Sequence, residues 1–153
     1  MTTGWEWYSP RMFSMQKTTG ATHKTLKKND YKSMIEINDL IGTPYRDHGR
    51  DAAGFDCYGL AIEVARRFGY KLNDVIYENH DIELSAQNIP TLNITPIEAP
   101  REGAIIEMET GNELHIGICL NAREFIHMTR NGCRINQIGA IKVRGYYGID
   151  TRI

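Results

Sequence analysis

The stretch IGTPYRDHGRDAAGFDCYGLAIEVARRFGY, residues 41–70, decides the fold. Its first half, up to Asp56, is rich in Gly, Pro and Asp and reads as a loop. Its second half reads as a helix over residues 57–68. Leu60, Ala61, Val64, Ala65 and Phe68 fall on one stripe at helical spacing. Asp56 is a good N-cap, because a short carboxylate accepts from the N–H groups that the first turn leaves unpaired. Gly69 stands where a helix end favours a residue without a Cβ. Cys57 is thereby placed in the first turn. A thiol attacks only as the thiolate, and a free cysteine with a pKa of about 8.5 is mostly protonated at neutral pH. The positive end of a helix and a nearby imidazolium both lower that value, so Cys57 is a candidate nucleophile.

Upstream, a further helix is expected from Asp30 as N-cap, with Met34, Ile35, Ile37, Leu40 and Ile41 at helical spacings and Gly42 as its end. Residues 1–30 show neither helical nor alternating periodicity, yet contain Trp5, Trp7, Tyr8, Met12, Phe13 and Met15. They read as an arm that docks on a partner or on its own domain, ahead of a domain at residues 31–153. Downstream, residues 70–100 read as loop, broken by Pro90, Pro96 and Pro100. Short strands are then expected at residues 104–108, 114–120, 124–128, 134–137 and 141–147. Helices first and an antiparallel sheet afterwards make an α+β fold.

A base for the thiol is sought among the histidines. His115 opens the strand HIGICL, where Ile116, Ile118 and Leu120 alternate toward a core. His115, Gly117 and Cys119 share the other face, and Gly117 leaves room beside the imidazole. His127 lies on the next strand, in REFIHMTR; a hairpin through Asn121 and Ala122 would bring it near His115. A third group of this kind accepts from the base's second nitrogen and fixes its tautomer. Each residue also has a plainer reading: Cys57 as a small buried apolar side chain, the histidines as satisfied strand residues. Zinc is disfavoured as the link between them, since structural zinc sites draw ligand pairs from short spacings and none here is closer than His115 and His127. No metal and no cofactor is expected.

Composition frames these expectations. At 153 residues, 41% apolar and 24% charged, the chain fits one ordinary globular domain. The net charge of −1 supplies no field to attract nucleic acid or a membrane surface. Residues 1–30 carry five basic and two acidic side chains, so a +3 arm precedes a −4 body. No apolar run approaches the roughly 18 residues that cross a bilayer. The opening MTTGWEWYSPRMFSMQ lacks the charged-then-apolar order of a secretory signal, which implies synthesis in the cytoplasm.

Residues 41–70 resemble the nucleophile segment of the NlpC/P60 family, cell-wall peptidases with a pared-down papain-like fold. REGAIIEMETGNELHIGICLNAREFIHM, residues 101–128, resembles that family's strand pair bearing the base and the third residue. Spacing agrees: Tyr45 stands 12 positions before Cys57, and His127 stands 12 after His115. The likeness covers residues 33–137. It implies a papain-like cysteine peptidase with helices packed on a small antiparallel sheet, Cys57 as nucleophile, His115 as base and His127 as orienting residue. Tyr45 matches a tyrosine whose hydroxyl assists the oxyanion, although it also reads as a packing residue. Asp56 matches an acidic residue that helps bind the substrate's amino group. The implied substrate is bacterial peptidoglycan, cut between D-glutamate and the diamino acid of the stem peptide.

The aromatic residue after Cys57 and the stretch RRFGYKLNDVIYE, residues 66–78, are more similar to the phage-tail branch of the family. That likeness implies a tail-tip component of a virion, with residues 1–30 contacting tail-tip or hub proteins. The rival expectation is a structural tail protein that keeps the fold as a docking module; a bacterial toxin or amidase of the same fold is a third. Two departures from the family pattern stand out. Ala104 follows Gly103 where the family has Asp, and His48-Gly49 replaces a Gly-Gly, which places His48 where it would narrow the cleft.

Overall fold

The computed structural model describes residues 35–75 and 92–153. The chain divides into two units, Met1–Glu36 and Ile37–Ile153, and the fold below is that of the second. The expected arm lies outside the described residues.

Helix α1, Cys57–Arg67, begins and ends as its sequence dictates. Asp56 adopts an extended conformation and its Oδ1 accepts from the Gly59 N–H at 2.6 Å. Phe68 caps the far end, and Gly69 takes the left-handed φ of 92°. Leu60, Ala61, Val64 and Ala65 are buried, as the stripe requires. Tyr58 is fully buried as well, and its hydroxyl donates to the Asn73 carbonyl at 2.7 Å.

Two glycines let the preceding loop lie against this helix. The loop carries a short hairpin of β1, Arg50–Asp51, and β2, Gly54–Phe55. A Cβ on Gly59 would run into the Gly49 carbonyl oxygen, and one on Gly49 would run into the Gly54 carbonyl. Arg50 then reaches the buried carboxylate of Asp56 at 2.8 Å and holds Asp74 with its other nitrogens. Helix start, hairpin and the segment around Asp74 are thereby tied at one point.

The rest is a six-stranded antiparallel sheet in the order β3-β8-β4-β5-β6-β7. Its members are β3, Ile94–Ile97; β4, Ile105–Thr110; β5, Glu113–Cys119; β6, Glu124–Thr129; β7, Gly132–Gln137; and β8, Lys142–Ile149. Helix α1 packs against β5 and β6. Both faces of the central strands are buried. Ile105, Ile116, Ile118 and Ile126 fill one face, while Ala104, Ile106, Met108, Cys119 and Phe125 cluster on the other.

Three expectations change. The helix expected up to Gly42 is, over its described part, only a 3-10 turn at Asn38–Leu40. Gly42 N–H donates to the Cys133 carbonyl and Cys133 N–H to that of Thr43, so strand pairing draws this backbone away from helix. The buried pair Ile37 and Leu40 is satisfied by the turn. A strand, β3, stands where loop was expected, with Pro96 in it. That proline is tolerated because β3 is at the sheet's edge. One α-helix among the described residues, rather than several, packs on the sheet. The remaining strands match their expected positions within a few residues.

The tie at Asp56 sets an expected outcome. Asp56→Ala removes both the cap and the anion facing Arg50, and should lower unfolding free energy by roughly 2–4 kcal/mol. Asp56→Asn keeps an acceptor for the Gly59 N–H and should lose clearly less. Urea unfolding of both variants checks this; equal losses would assign the whole effect to the charge.

Candidate active site

The site forms where α1 meets the end of the β5–β6 ladder. These strands pair at Gly117↔His127, Ile118↔Ile126 and Cys119↔Phe125, and pairing goes no further toward His115. Cys119 N–H bonds the carbonyl of Ala104, the residue just before β4, so odd-numbered residues of β5 turn their backbone groups to β4 and even-numbered ones turn away. Beyond the last pair, the N–H of Ile116 is therefore not taken up by β6, and it acts on the Cys57 thiol in favour of the thiolate.

Side chains follow the same alternation. His115, Gly117 and Cys119 share a face with Phe125 and His127. Gly117 lies directly opposite His127: a Cβ there would stand 2.7 Å from the Ile126 carbonyl oxygen and 3.1 Å from the His127 Cβ. Without a side chain at 117, His115 leans across to His127, and its Nε2 lies 2.8 Å from His127 Nδ1. The rings meet edge to face with centroids 5.0 Å apart. Phe125 lies against the other side of His127.

Cys57, His115, His127 and Tyr45 line one cavity of about 240 Å³, together with Glu113 and Arg130 among others. The structure thus brings together four of the five residues singled out from the sequence. Asp56 stands apart. It is fully buried, its Oδ1 is engaged by Gly59 and Arg50, and it is not in the cavity wall. A direct contact with substrate would require it to leave its helix cap.

Tyr45 is in the wall, but its hydroxyl donates to Asp47 at 2.7 Å and Arg130 stacks on its ring at 4.9 Å. Desolvation and Asp47 together raise the pKa of that hydroxyl. Cys119, on the same strand face as His115, is buried in the apolar cluster and does not reach the cavity. His48 is exposed and is likewise absent from the wall, contrary to the expectation that it narrows the cleft.

One polar contact has no counterpart in the sequence reading. His127 Nε2 lies 2.7 Å from Asn136 Oδ1 on β7. The register pairs His127 with Arg134 and Phe125 with Asn136, which makes Asn136 a diagonal neighbour on the same face. Nothing in the string RINQ marks Asn136 over Gln137; only the register does.

Burial dominates the electrostatics. Desolvation pushes the Cys57 thiol up to about 11, against the opposing pull of the Ile116 N–H and the helix-start N–H groups, and the Asp56 charge adds to the rise. Desolvation, helped by His127, pushes His115 down to about 4. Desolvation also lowers His127, while its bond to Asn136 works the other way. The lowered thiol pKa expected from the sequence is therefore overturned: the helix end is there, but loss of water outweighs it. Both shifts favour thiol and neutral imidazole as the resting pair, with each side chain keeping part of its surface open to the cavity.

A model of the NlpC/P60 family matches residues 42–147, a span from the loop before Tyr45 to β8. No curated protein matches the chain. Among solved structures, the match includes the crystal structure of the NlpC/p60 domain of peptidoglycan hydrolase SagA. Identity is 15%, over 85% of this chain and 98% of that one, with a TM-score of 0.47.

The resting state is open to measurement without a substrate. Alkylation of Cys57 by iodoacetamide should be slow at pH 7 and climb as pH rises toward about 11. The His115 ring should stay neutral by NMR until pH falls through about 4, below which it gains its proton. Fast alkylation with no pH dependence between about 5 and 8 would instead reveal a preformed thiolate–imidazolium pair.

Proposed function

The chain belongs to the NlpC/P60 family, and on that premise we propose that it is a cysteine peptidase that cuts the stem peptide of bacterial peptidoglycan. The observation that carries this reading is the shared cavity of Cys57 and His115, with His115 Nε2 held by His127 Nδ1. A nucleophile and a base on one cavity wall, the base hydrogen-bonded to an orienting group, are what acyl transfer through a thiol needs.

In the proposed cycle the Cys57 thiol gives its proton to His115 as the sulfur attacks the scissile carbonyl carbon. The carbonyl oxygen takes up the negative charge and faces the N–H groups at the start of α1, each such donor contributing about 3 kcal/mol of transition-state stabilisation. The His115 imidazolium then protonates the leaving amine, the C–N bond breaks, and a thioester remains on Cys57. Water, losing a proton to His115, adds to the thioester; the acid product leaves and the thiol is restored. Starting from a neutral pair, proton transfer accompanies attack. Tyr45 can join the oxyanion site only by turning its hydroxyl from Asp47, so its proposed part is to shape the wall and to reorient on substrate binding.

The D-glutamyl–diamino acid bond is the proposed scissile bond, on the strength of the motif resemblance. A place in a phage tail tip, reached by assembly into the virion, is proposed on the likeness of the segment around Tyr58 to the phage branch. Residues 1–30 would then contact neighbouring tail proteins. The burial of Tyr58 and its bond to Asn73 give the aromatic residue after the cysteine a structural reason in this chain.

Purified full chain should release peptides from sacculi, and Cys57→Ala should reduce that release to background while leaving the circular dichroism spectrum unchanged. Cleavage persisting in the variant would remove Cys57 as nucleophile. A wild-type chain that releases nothing from walls of several stem chemistries would favour the docking-module alternative.

A further inference from the structure

The polar chain that begins at His115 does not stop at the second histidine. His127 Nε2 lies 2.7 Å from Asn136 Oδ1, and His127 Nδ1 lies 2.8 Å from His115 Nε2. An amide oxygen only accepts, so His127 must carry its hydrogen on Nε2 and donate it to Asn136. A neutral imidazole has one N–H, so His127 Nδ1 is bare and accepts. The hydrogen it accepts comes from His115 Nε2. By the same count His115, also neutral, is left with a lone pair at Nδ1, the nitrogen with which it can take a proton in the cavity it shares with Cys57.

We propose that Asn136 is a positioning residue of this site, which sets the tautomers of both histidines by accepting from His127 Nε2 and so leaves the base's lone pair on Nδ1. The proposal rests on the peptidase reading for its catalytic consequence, but not for its structural content. Water in place of Asn136 either donates or accepts, and would leave the direction of the chain open. Were His127 to carry its hydrogen on Nδ1, His115 would have to accept at Nε2 and place its own hydrogen on Nδ1. It would then keep no lone pair with which to take a proton from the thiol.

The surroundings favour the same direction. Arg134 lies directly opposite His127 in the register, and its charge opposes a second proton on that ring. Phe125 packs on the ring and offers no competing acceptor. Since β7 is the sheet's edge strand, the fixed register of β6 with β7 alone carries Asn136 to its place.

Two variants of the full chain test this, Asn136→Leu and Asn136→Asp. Ring nitrogen shifts from long-range proton–nitrogen NMR at pH 7 should show hydrogens on Nε2 of both His115 and His127 in the wild type. In N136L the His127 ring should become a mixture of tautomers. Release of stem peptides should then lose on the order of 10-fold or more in kcat, with KM moved less than about 2-fold. N136D supplies an acceptor in the same place and should keep the wild-type tautomers and most of kcat, while moving the His127 titration to higher pH because a carboxylate favours the imidazolium. Unchanged ring shifts and unchanged kcat in N136L would overturn the proposal. If N136L does not fold, a His127 titration that N136D leaves unmoved would overturn it instead. A wild type that shows the tautomer pattern but cleaves nothing would sink the peptidase reading and leave the positioning of the rings standing.

Discussion

The start of one helix has to arrive where two strands part company, and the buried carboxylate of Asp56 holds it there. Its Oδ1 receives the Gly59 N–H from inside the helix and the Arg50 guanidinium from outside. A buried carboxylate without partners would be strongly destabilising, so each donor is obligatory. Arg50 passes the constraint on to Asp74 and the Gly49 carbonyl, and the absence of side chains at Gly49 and Gly59 lets the loop backbone close on the helix. Asp56 thus does its work beneath the site, while Cys57, the next residue, faces the cavity.

On the sheet side, the counterpart is the point where β5 and β6 cease to pair. If pairing ran one residue further, the Ile116 N–H would be occupied by β6 and its place beside the sulfur would be lost. Gly117 makes the departure productive, because an empty position opposite His127 is what lets two histidines on adjacent strands reach 2.8 Å. A helix end and a frayed ladder are ordinary features of packed proteins. Their coincidence within one cavity is what gives Cys57 the N–H groups of Tyr58 and Ile116 nearby and an imidazole on the same wall.

Much of this was legible along the chain because it is local. The cap, stripe and glycine around α1 fix its bounds within one residue, and the alternation through His115 and the short turn at Asn121 specify which side chains share a face. What was not legible depends on registers that no local pattern encodes. The segment expected to end a helix at Gly42 is instead held where Gly42 and Thr43 bond to the backbone of Cys133, some 90 positions away. Pro96 reads as a breaker until its strand is seen to lie at an edge. Asn136 is one polar residue in a polar strand until it is set diagonally beside His127. The thiol pKa fails for a different reason: the sequence shows the helix dipole that stabilises a thiolate, but not the depth of burial that opposes it.

The departures from the family pattern sort by the same logic. His48 holds φ at 57°, a left-handed conformation that glycine reaches freely and other residues reach at a penalty of about 1 kcal/mol. An exposed histidine outside the cavity wall meets this backbone demand without altering the cleft. Ala104 follows Gly103, which itself keeps a left-handed φ of 81°. Its side chain is buried beside Ile106, Met108, Cys119 and Phe125, where a carboxylate would find an apolar surrounding and alanine fits without penalty. Both changes are answered by their immediate neighbours, one by solvent and one by core. Neither reaches the line from Cys57 through His115 and His127 to Asn136, so the chemistry of the site can be held constant while the loops and packing around it drift.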